Sequence, residues 1–280
     1  MPELPEVETY VRTLRDGSSE HQASVVGQEI REGMVLWPRT LAIPSESEFT
    51  QRIKGQVITA LGRRGKFLDF SLSKDHLLIH LRMSGDLRME TAVDEKGQSR
   101  EYKPHDRLAL IFTDKTRLVF NDTRKFGRVW LTAEPEEVTG ALGPEPLDES
   151  LNGEKFFHLL STRGRQLKPL LMDQGFLAGL GNIYTDEALH MAKLHPLMNS
   201  GDITPAQAQK LLNAIRAVLS EGIRRSGASI DWVYRGGEFQ NNFRVYGRKG
   251  ETCPECGTPI ERLVVGQRGT HICPNCQTLK

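Results

Sequence analysis

Leu108-Ala109-Leu110-Ile111-Phe112-Thr113-Asp114-Lys115-Thr116-Arg117-Leu118-Val119-Phe120 is two apolar runs around a four-residue polar loop. Short aliphatic and aromatic runs separated in this way predict a β-hairpin. Working outward, Val25 to Trp37, Gln56 to Leu72, His76 to Met89 and Asp106 to Leu131 carry the same strand-like pattern. Several antiparallel strands of this kind predict a sandwich or flattened barrel over residues 24–132. Ahead of them, Val7, Tyr10, Val11 and Leu14 follow Pro5 at helical spacing. An opening helix, with Glu6 and Glu8 in its first turn, is expected to pack against the sheets.

Beyond residue 133 the period changes. Residues 134–150, from Glu134-Pro135-Glu136-Glu137 through Gly143-Pro144-Glu145-Pro146, are acidic and rich in Pro and Gly, and read as an interdomain linker. Thr204-Pro205-Ala206-Gln207 is a capping box, and Leu211, Leu212, Ile215, Val218 and Leu219 supply the buried stripe of the helix it starts. The four cysteines, Cys253, Cys256, Cys273 and Cys276, form C-x2-C-x16-C-x2-C, two thiolate knuckles able to close a tetrahedral zinc site. A disulfide pairing is the competing reading, but no export signal accompanies it and the cytosol keeps thiols reduced. Four thiolates leave no open position, so one structural Zn2+ is expected. Between the knuckles, Glu261 to Val265 and Thr270 to Ile272 read as strands joined by Gly266-Gln267-Arg268-Gly269, with Arg268 at the tip. The fold class is therefore α+β and multidomain. Residues 1–133 form the N-terminal β-domain, 134–150 the linker, 151–235 a helical domain, and 236–280 a loop and four-cysteine hairpin.

The 280 residues exceed what a single small domain needs. No apolar run approaches the roughly 20 residues of a membrane span, and the charged N-terminus is not a secretory signal, so a soluble cytoplasmic protein is the expectation. The 37 Lys+Arg against 36 Asp+Glu argue, at face value, against a strongly polyanionic partner. Their distribution differs: residues 1–150 hold 21 basic and 25 acidic residues, and residues 151–280 hold 16 and 11. The basic surplus lies where the cysteines lie.

Candidate chemistry begins at Met1-Pro2-Glu3-Leu4-Pro5-Glu6-Val7-Glu8. Removal of Met1, which a small second residue permits, leaves Pro2 with a secondary amine. A terminal amine has a pKa of about 7.7 to 8.0, so a useful fraction is nucleophilic near pH 7. Its adduct with an aldehyde carbon is an iminium, an electron sink that needs no further protonation. Glu3 lies beside the amine in an extended lead-in, and Glu8 is assigned to the solvent face of the helix. A capped amphipathic helix with an acidic first turn explains the same residues without chemistry.

Three loops carry unusual residues. Gly62-Arg63-Arg64-Gly65-Lys66 sets three cations between strands, as a solvated basic turn or a ligand-approaching loop. Arg82-Met83-Ser84-Gly85 and Asn121-Asp122-Thr123-Arg124-Lys125-Phe126-Gly127 each place a bulky apolar residue among polar ones. Such residues are often core, yet apolar wedges beside an arginine also push between stacked bases. Gln174-Gly175-Phe176-Leu177-Ala178-Gly179-Leu180-Gly181-Asn182-Ile183-Tyr184 is a glycine-punctuated entry to a helix, able to hold a phosphate or merely to turn between helices. Its spacing is not that of a dinucleotide or P-loop fingerprint.

Together these residues resemble the formamidopyrimidine-DNA glycosylase family, bacterial base-excision enzymes for oxidised purines. The match runs from the opening peptide through Arg63-Arg64-Gly65-Lys66-Phe67, His80-Leu81-Arg82-Met83-Ser84-Gly85, Arg124-Lys125-Phe126-Gly127, Gly181-Asn182-Ile183-Tyr184 and Val245-Tyr246-Gly247-Arg248-Lys249-Gly250 to the zinc hairpin with Gln267-Arg268. The resemblance implies an N-terminal catalytic β-sandwich, a helix-two-turn-helix DNA-binding domain and a C-terminal zinc-finger hairpin. It implies that Pro2 attacks the sugar C1′, that Glu3 is the general acid/base and that Glu6 supports the amine. Lys66 is implied in the first elimination, and Arg268 in phosphate binding and the second. His105, Arg124, Arg163 and Asn182 correspond to DNA-contacting positions, and Met83, Arg124 and Phe126 to a triplet that fills the gap left by an extruded base. The implied partner is double-stranded DNA with oxidised bases or abasic sites, bound by a monomer at the bacterial nucleoid, with affinity that falls steeply with salt.

Two alternatives share these features. Endonuclease VIII relatives, which prefer oxidised pyrimidines, usually carry Gly where Leu4 stands, so Leu4 favours the purine branch. A catalytically silent zinc-finger DNA-binding module would have no use for an N-terminal secondary amine. In the loop that closes over a flipped base, Arg235-Gly236-Gly237-Glu238-Phe239-Gln240-Asn241-Asn242-Phe243, Glu238 replaces the Tyr of some relatives, and no base contact is carried over.

Overall fold

The opening apolar stripe does form a helix, α1 (Leu4–Asp16), with Pro5 and Glu6 in its first turn and Val7, Val11 and Leu14 buried. In the computed structural model, residues 1–17, 24–229 and 236–279 are described. Arg235, the first residue of the expected base-covering loop, lies outside the described residues, as do the last six residues of the expected helical domain and Lys280. The described chain divides into two units. One comprises Met1–Pro2 and Glu6–Ala141; the other comprises Glu3–Pro5, Leu142–Ser229 and residues 236–279.

In the first unit, β1 (Ile30–Val35) is followed by a short β2 (Leu41–Ile43) and by α2 (Glu46–Ile53). Then come β3 (Ile58–Arg64), β4 (Phe67–Leu72), β5 (His76–His80), β6 (Gly85–Thr91), β7 (Asp106–Phe112), β8 (Thr116–Asp122) and β9 (Arg128–Thr132). They form a four-stranded sheet in the order β1-β7-β8-β6 and a five-stranded sheet in the order β2-β9-β5-β4-β3. The expected hairpin is β7–β8, antiparallel, with Ile111 opposite Arg117. Phe112, Phe120 and Leu110 of one sheet join Phe70, Ile79 and Leu131 of the other, with Val7 and Val11 of α1, in one buried cluster. Two sheets sharing one core are a sandwich.

Two elements were not anticipated. β2 runs parallel to β9, a pairing that short-range alternation cannot reveal. In α2 the Ser45 hydroxyl caps the Glu48 N–H, and Glu46 and Glu48 favour the positive end, a start signal that the sequence itself carries. The assignment of Glu8 to solvent is corrected. Its carboxylate pairs with Arg12 at 2.8 Å and with Arg63 of β3 at 3.1 Å, which ties α1 to the basic hairpin.

A short α3 (Glu136–Thr139) ends the first unit. The second contains α4 (Gly153–Ser161), α5 (Leu167–Leu171), α6 (Asn182–Ala192), α7 (Pro205–Arg224) and the hairpin β10 (Glu261–Val265) and β11 (Arg268–Ile272). α7 begins with the expected capping box, both halves of which form. Its buried Leu211, Leu212, Ile215, Val218 and Leu219 share a core with Leu4, Phe156 and Leu189. The Arg216 guanidinium binds the carbonyls of Pro146, Asp148 and Leu151 at 2.7–2.8 Å, so this Pro-rich stretch is held against α7.

α6 is buried almost all round, including the polar Asp186, Glu187 and His190. A helix with that many buried polar groups needs partners for each of them. The zinc-finger segment supplies several. Glu187 accepts the backbone N–H groups of Arg244, Val245 and Tyr246 at 2.8–3.0 Å, and Asp186 accepts that of His271 at 2.9 Å.

Candidate functional site

Within the first unit, Lys66 follows Gly65 at the β3–β4 turn and is only 4 % exposed. Of the two readings of this turn, burial of Lys66 rules out the fully solvated one. A buried ammonium is strongly disfavoured without compensating interactions, so its position is a built feature. Its neighbour His80, on β5, is held neutral and pushed down to about 3, first by burial, then by the charges of Arg82 and Lys66. The neutral His80 Nδ1 accepts the Arg82 N–H at 3.0 Å, which orients the start of the Met83 loop. Pro2 and Glu6 are also buried, whereas Met1 is exposed.

The predicted wedge residues are among the large apolar side chains left exposed: Met83 is 41 % and Phe126 50 % exposed. Their two loops are joined by Asp122, at the end of β8 and completely buried. One carboxylate oxygen accepts the Ser84 hydroxyl and the Arg124 N–H at 3.1 Å; the other accepts the Gly127 N–H at 2.7 Å. The Asp122 backbone N–H in turn reaches the His105 carbonyl at 2.9 Å, and Arg107 bridges the Asp122 carbonyl to the His105 ring. Four of the predicted DNA-facing residues, Met83, His105, Arg124 and Phe126, thus lie in segments tied to one residue: the Asp122 carboxylate joins the two wedge loops and its backbone reaches His105. The Arg124 guanidinium stacks over the Phe126 ring at 4.9 Å, presenting cation and wedge as one surface.

In the second unit, Glu3 docks on the start of α6. Its Oε2 accepts the Gly181 N–H at 2.7 Å and its Oε1 the Ile183 N–H at 3.0 Å. Gly181 has no side chain to cap α6, and Glu3 takes that role at the positive end of the helix. A Cβ on Gly181 would lie 2.3 Å from the Glu3 carboxyl carbon, so only glycine allows this approach. The turn, open to either a phosphate or a plain helix-helix connection, spends two of its N–H groups on a carboxylate of the chain itself. Asn182 donates its side-chain N–H to the Gly269 carbonyl at 3.2 Å, which joins α6 to the hairpin that carries Arg268.

Arg268 is exposed, but it is not at a loop tip. The turn is the two residues Gly266 and Gln267, with φ of 53° and 62°, and Arg268 opens β11 opposite Val265. Positive φ at both positions is the twist-matched turn of a two-residue hairpin, which gives Arg268 a fixed strand position. The turn end of β11 is held by Lys168, fully buried on α5. Its ammonium donates to Asp186 at 2.6 Å, Thr270 Oγ1 at 2.8 Å and the Gly269 carbonyl at 3.1 Å. Burial lowers its pKa against the opposing pull of Asp186. Arg163 stands apart from this group, exposed beyond α4, where it adds to Arg165 in keeping the Asp173 carboxyl below the usual range.

The four cysteine sulfurs all lie within 4.8 Å of one another. Sγ separations are 4.0 Å for Cys253–Cys276, 3.4 Å for Cys256–Cys273 and 3.6 Å for Cys256–Cys276. A tetrahedron with zinc–sulfur bonds of about 2.3 Å has edges of about 3.8 Å, so the donor set fits one zinc ion. Burial pushes the Cys273 and Cys276 thiols up, and a divalent cation deprotonates them outright. Knuckle amides of Glu255 and Cys276 donate to Cys253 and Cys273 sulfur at 3.4 Å.

Asp122, Lys168, Asp186 and Glu187 were missed by the sequence reading. Each is a charged residue in an ordinary-looking context, and each acts through partners that only folding brings near. The one local hint is Asn121-Asp122 immediately before a polar loop, where a side chain that accepts turn N–H groups is favoured.

Residues 1–129 match the pattern of the formamidopyrimidine-DNA glycosylase N-terminal domain, 142–233 that of the formamidopyrimidine-DNA glycosylase H2TH domain, and 250–279 that of a zinc finger found in FPG and IleRS. The chain is 42 % identical over 286 residues to a formamidopyrimidine-DNA glycosylase of Protochlamydia amoebophila, covering 99 % of both chains. It is 43 % identical over 285 residues to that of Chloroflexus aurantiacus, covering 99 % of this chain and 98 % of the relative. Its structure superposes with a TM-score of 0.88, at 34 % identity, on Lactococcus lactis Fpg in complex with N7-benzyl-Fapy-dG DNA, covering 99 % of this chain and 100 % of the other. A MutM complex with carbocyclic 8-oxo-G DNA gives 0.87 at the same identity and coverage.

Proposed function

The chain belongs to the formamidopyrimidine-DNA glycosylase family, a bifunctional DNA glycosylase and abasic-site lyase of base excision repair, and from that premise we propose that Pro2, Glu3, Lys66 and Arg268 carry its chemistry. The substrate is duplex DNA containing oxidised purines, 8-oxoguanine and formamidopyrimidines, or abasic sites. It needs one structural zinc, held by Cys253, Cys256, Cys273 and Cys276. No helix among the described residues is long and apolar enough to cross a membrane. We infer that the protein works in the bacterial cytoplasm, with the nucleoid as the proposed site of action because its substrate is duplex DNA.

The observation that carries the assignment is the capture of Glu3 by the Gly181 and Ile183 amides, one residue from the candidate nucleophile. Once Met1 is removed, the Pro2 nitrogen attacks C1′ as the base departs. The nitrogen loses its proton, the C1′–O4′ bond breaks as O4′ takes up a proton, and the ring-opened iminium acidifies the C2′ hydrogen. Glu3, held at both oxygens, has a fixed geometry for proton transfer at the sugar; such help is worth about 10²- to 10⁴-fold. Loss of the C2′ proton expels the 3′ phosphate, and a second elimination expels the 5′ phosphate. Lys66 serves the first of these and Arg268 the second, while Glu6 supports the amine.

The base must leave the stack first, at a few kcal/mol. Met83, Arg124 and Phe126 fill the gap, and His105, Arg163 and Asn182 hold the backbone. On this reading the functional division is 1–133, the linker 134–150, 151–235 and 236–280, with residues 236–243 over the flipped base. Borohydride reduction of the Met1-free protein with 8-oxoguanine or abasic duplex is expected to trap a covalent adduct at Pro2. Intact processed protein that gives no adduct would overturn the assignment. Faster release of oxidised thymine than of 8-oxoguanine would move the chain to the pyrimidine-preferring branch.

A further inference from the structure

α6 holds one buried imidazole that the repair chemistry does not use. His190 is 1 % exposed, and its Nε2 lies 3.4 Å from the Sγ of Cys253, one of the four zinc-binding cysteines. Its Nδ1 is also buried and has no hydrogen-bond partner among the described residues. A neutral imidazole has one N–H and one lone pair, so the two tautomers are not equivalent here. With the proton on Nδ1, a buried donor would be left unsatisfied and the Nε2 lone pair would face a thiolate. With the proton on Nε2, the N–H points at the sulfur and only an acceptor is left without a partner, the cheaper of the two defects.

We propose that His190 is an outer-sphere partner of the zinc site, donating its Nε2–H to the metal-bound Cys253 thiolate. The bond withdraws charge from that sulfur, making it harder to protonate and to displace. It also anchors the first knuckle to α6. His190 lies one turn beyond Asp186 on the same face, next to Glu187, and those two residues hold the segment that flanks the cysteines by its backbone. Of the three, His190 alone touches a metal ligand. The helix that positions Glu3 at its start therefore holds the metal site at its end.

The inference rests on the four thiolates binding zinc, and the metal content of the unaltered protein tests that premise by itself: folded wild-type protein without zinc sinks both. In protein labelled with 15N-histidine and loaded with 113Cd2+, the His190 Nε2 is expected to carry the proton and show a coupling to cadmium through the N–H···S bond, with Nδ1 unprotonated. A proton on Nδ1, or Nε2 bound directly to cadmium, overturns the proposal without any mutant. His190→Phe keeps an aromatic ring and removes the donor. It is expected to release zinc to a chromogenic chelator about tenfold faster, the lower end of what loss of such a partner costs in affinity. Its Co2+ form should show thiolate charge-transfer bands at lower energy. Release rate and Co2+ spectrum unchanged from wild type would overturn the proposal.

Discussion

Gly181 donates its backbone N–H to the Glu3 carboxylate at 2.7 Å, across a separation of 178 residues in sequence. The same contact leaves no room for a side chain, since a Cβ would sit 2.3 Å from the Glu3 carboxyl carbon. Gly181→Ala is therefore expected to displace Glu3 rather than unfold α6. A misplacement of about 1 Å in a catalytic group costs on the order of 10²-fold in rate. Single-turnover excision of 8-oxoguanine should fall by that order while the thermal midpoint moves by only a few degrees. An alanine variant with unchanged excision would show that Glu3 needs no fixed position.

The wedge residues separate stability from function in the opposite sense. Phe126 and Met83 are about half exposed, so truncating either to alanine should change folding stability by only about 0.5 kcal/mol. Their proposed role is to replace stacking lost when a base leaves a duplex. Excision from duplex DNA should fall at least tenfold, whereas borohydride trapping on a single-stranded abasic oligonucleotide, which has little stacking to replace, should be unaffected. Equal losses on both substrates would refute the wedge role.

Asp122→Asn tests the hub beneath those loops. The Asp122 carboxylate accepts one hydroxyl and two backbone N–H groups from both loops, and an amide turns one acceptor oxygen into a donor facing donors. Leaving such groups unsatisfied costs about 1–3 kcal/mol. Urea unfolding should show a loss of this size, together with the duplex-specific defect of the Phe126 variant. A variant as stable as wild type would mean that the loops hold their shape without the carboxylate.

Metal removal should act on the second unit. Structural zinc contributes about 10–16 kcal/mol of apparent binding energy in zinc-finger peptides, more than the small cluster of Val245, Ile260 and the cysteines can replace. Chelation, or Cys256→Ala, is expected to abolish DNA binding and protection of residues 250–279 from hydrogen exchange. Strands β4, β5, β7 and β8 of the sandwich should remain protected. One equivalent of zinc per chain by elemental analysis is the matching expectation for the untreated protein.

His80 gives the first unit an acid limit. Its imidazole stays neutral in the fold down to about pH 3, whereas in the unfolded chain it protonates near 6.5. Between those values the unfolded state binds more protons, so stability falls as the pH drops. By pH 4 the loss from this one group is roughly 3 kcal/mol. His80→Asn, which keeps an acceptor for the Arg82 N–H, should be less stable at pH 7 yet lose less between pH 6.5 and 4. Parallel pH profiles for the two proteins would exclude His80 as the source.

Much of the fold and of the site is legible in the sequence because it is local. The hairpin at 108–120 needs only two apolar runs and a polar loop; the capping box of α7 needs four residues; the zinc site needs two C-x2-C pairs at a fixed distance. The β2–β9 pairing was not legible, since three residues with no periodic context choose a parallel partner by where β9 lies. Arg268 shows a nearer miss: both strands and their join were visible, but placing it on the strand required knowing that Gly266 and Gln267 both take positive φ.

By itself the sequence determined the chemical inventory of the protein. It supplied Pro2 with Glu3 beside it, a lysine at a glycine turn, two loops with apolar residues among cations, and four cysteines in zinc spacing. Only the tertiary structure decided how those groups are held. Buried charges and orphan amides must find partners wherever the fold brings them, so Glu3 takes the amides of Gly181 and Ile183, Asp122 takes two amides of one loop and the Ser84 hydroxyl of the other, and Lys168 finds Asp186 and the hairpin backbone. Such pairings arise from desolvation and geometry across long separations, and no local pattern in the chain encodes them.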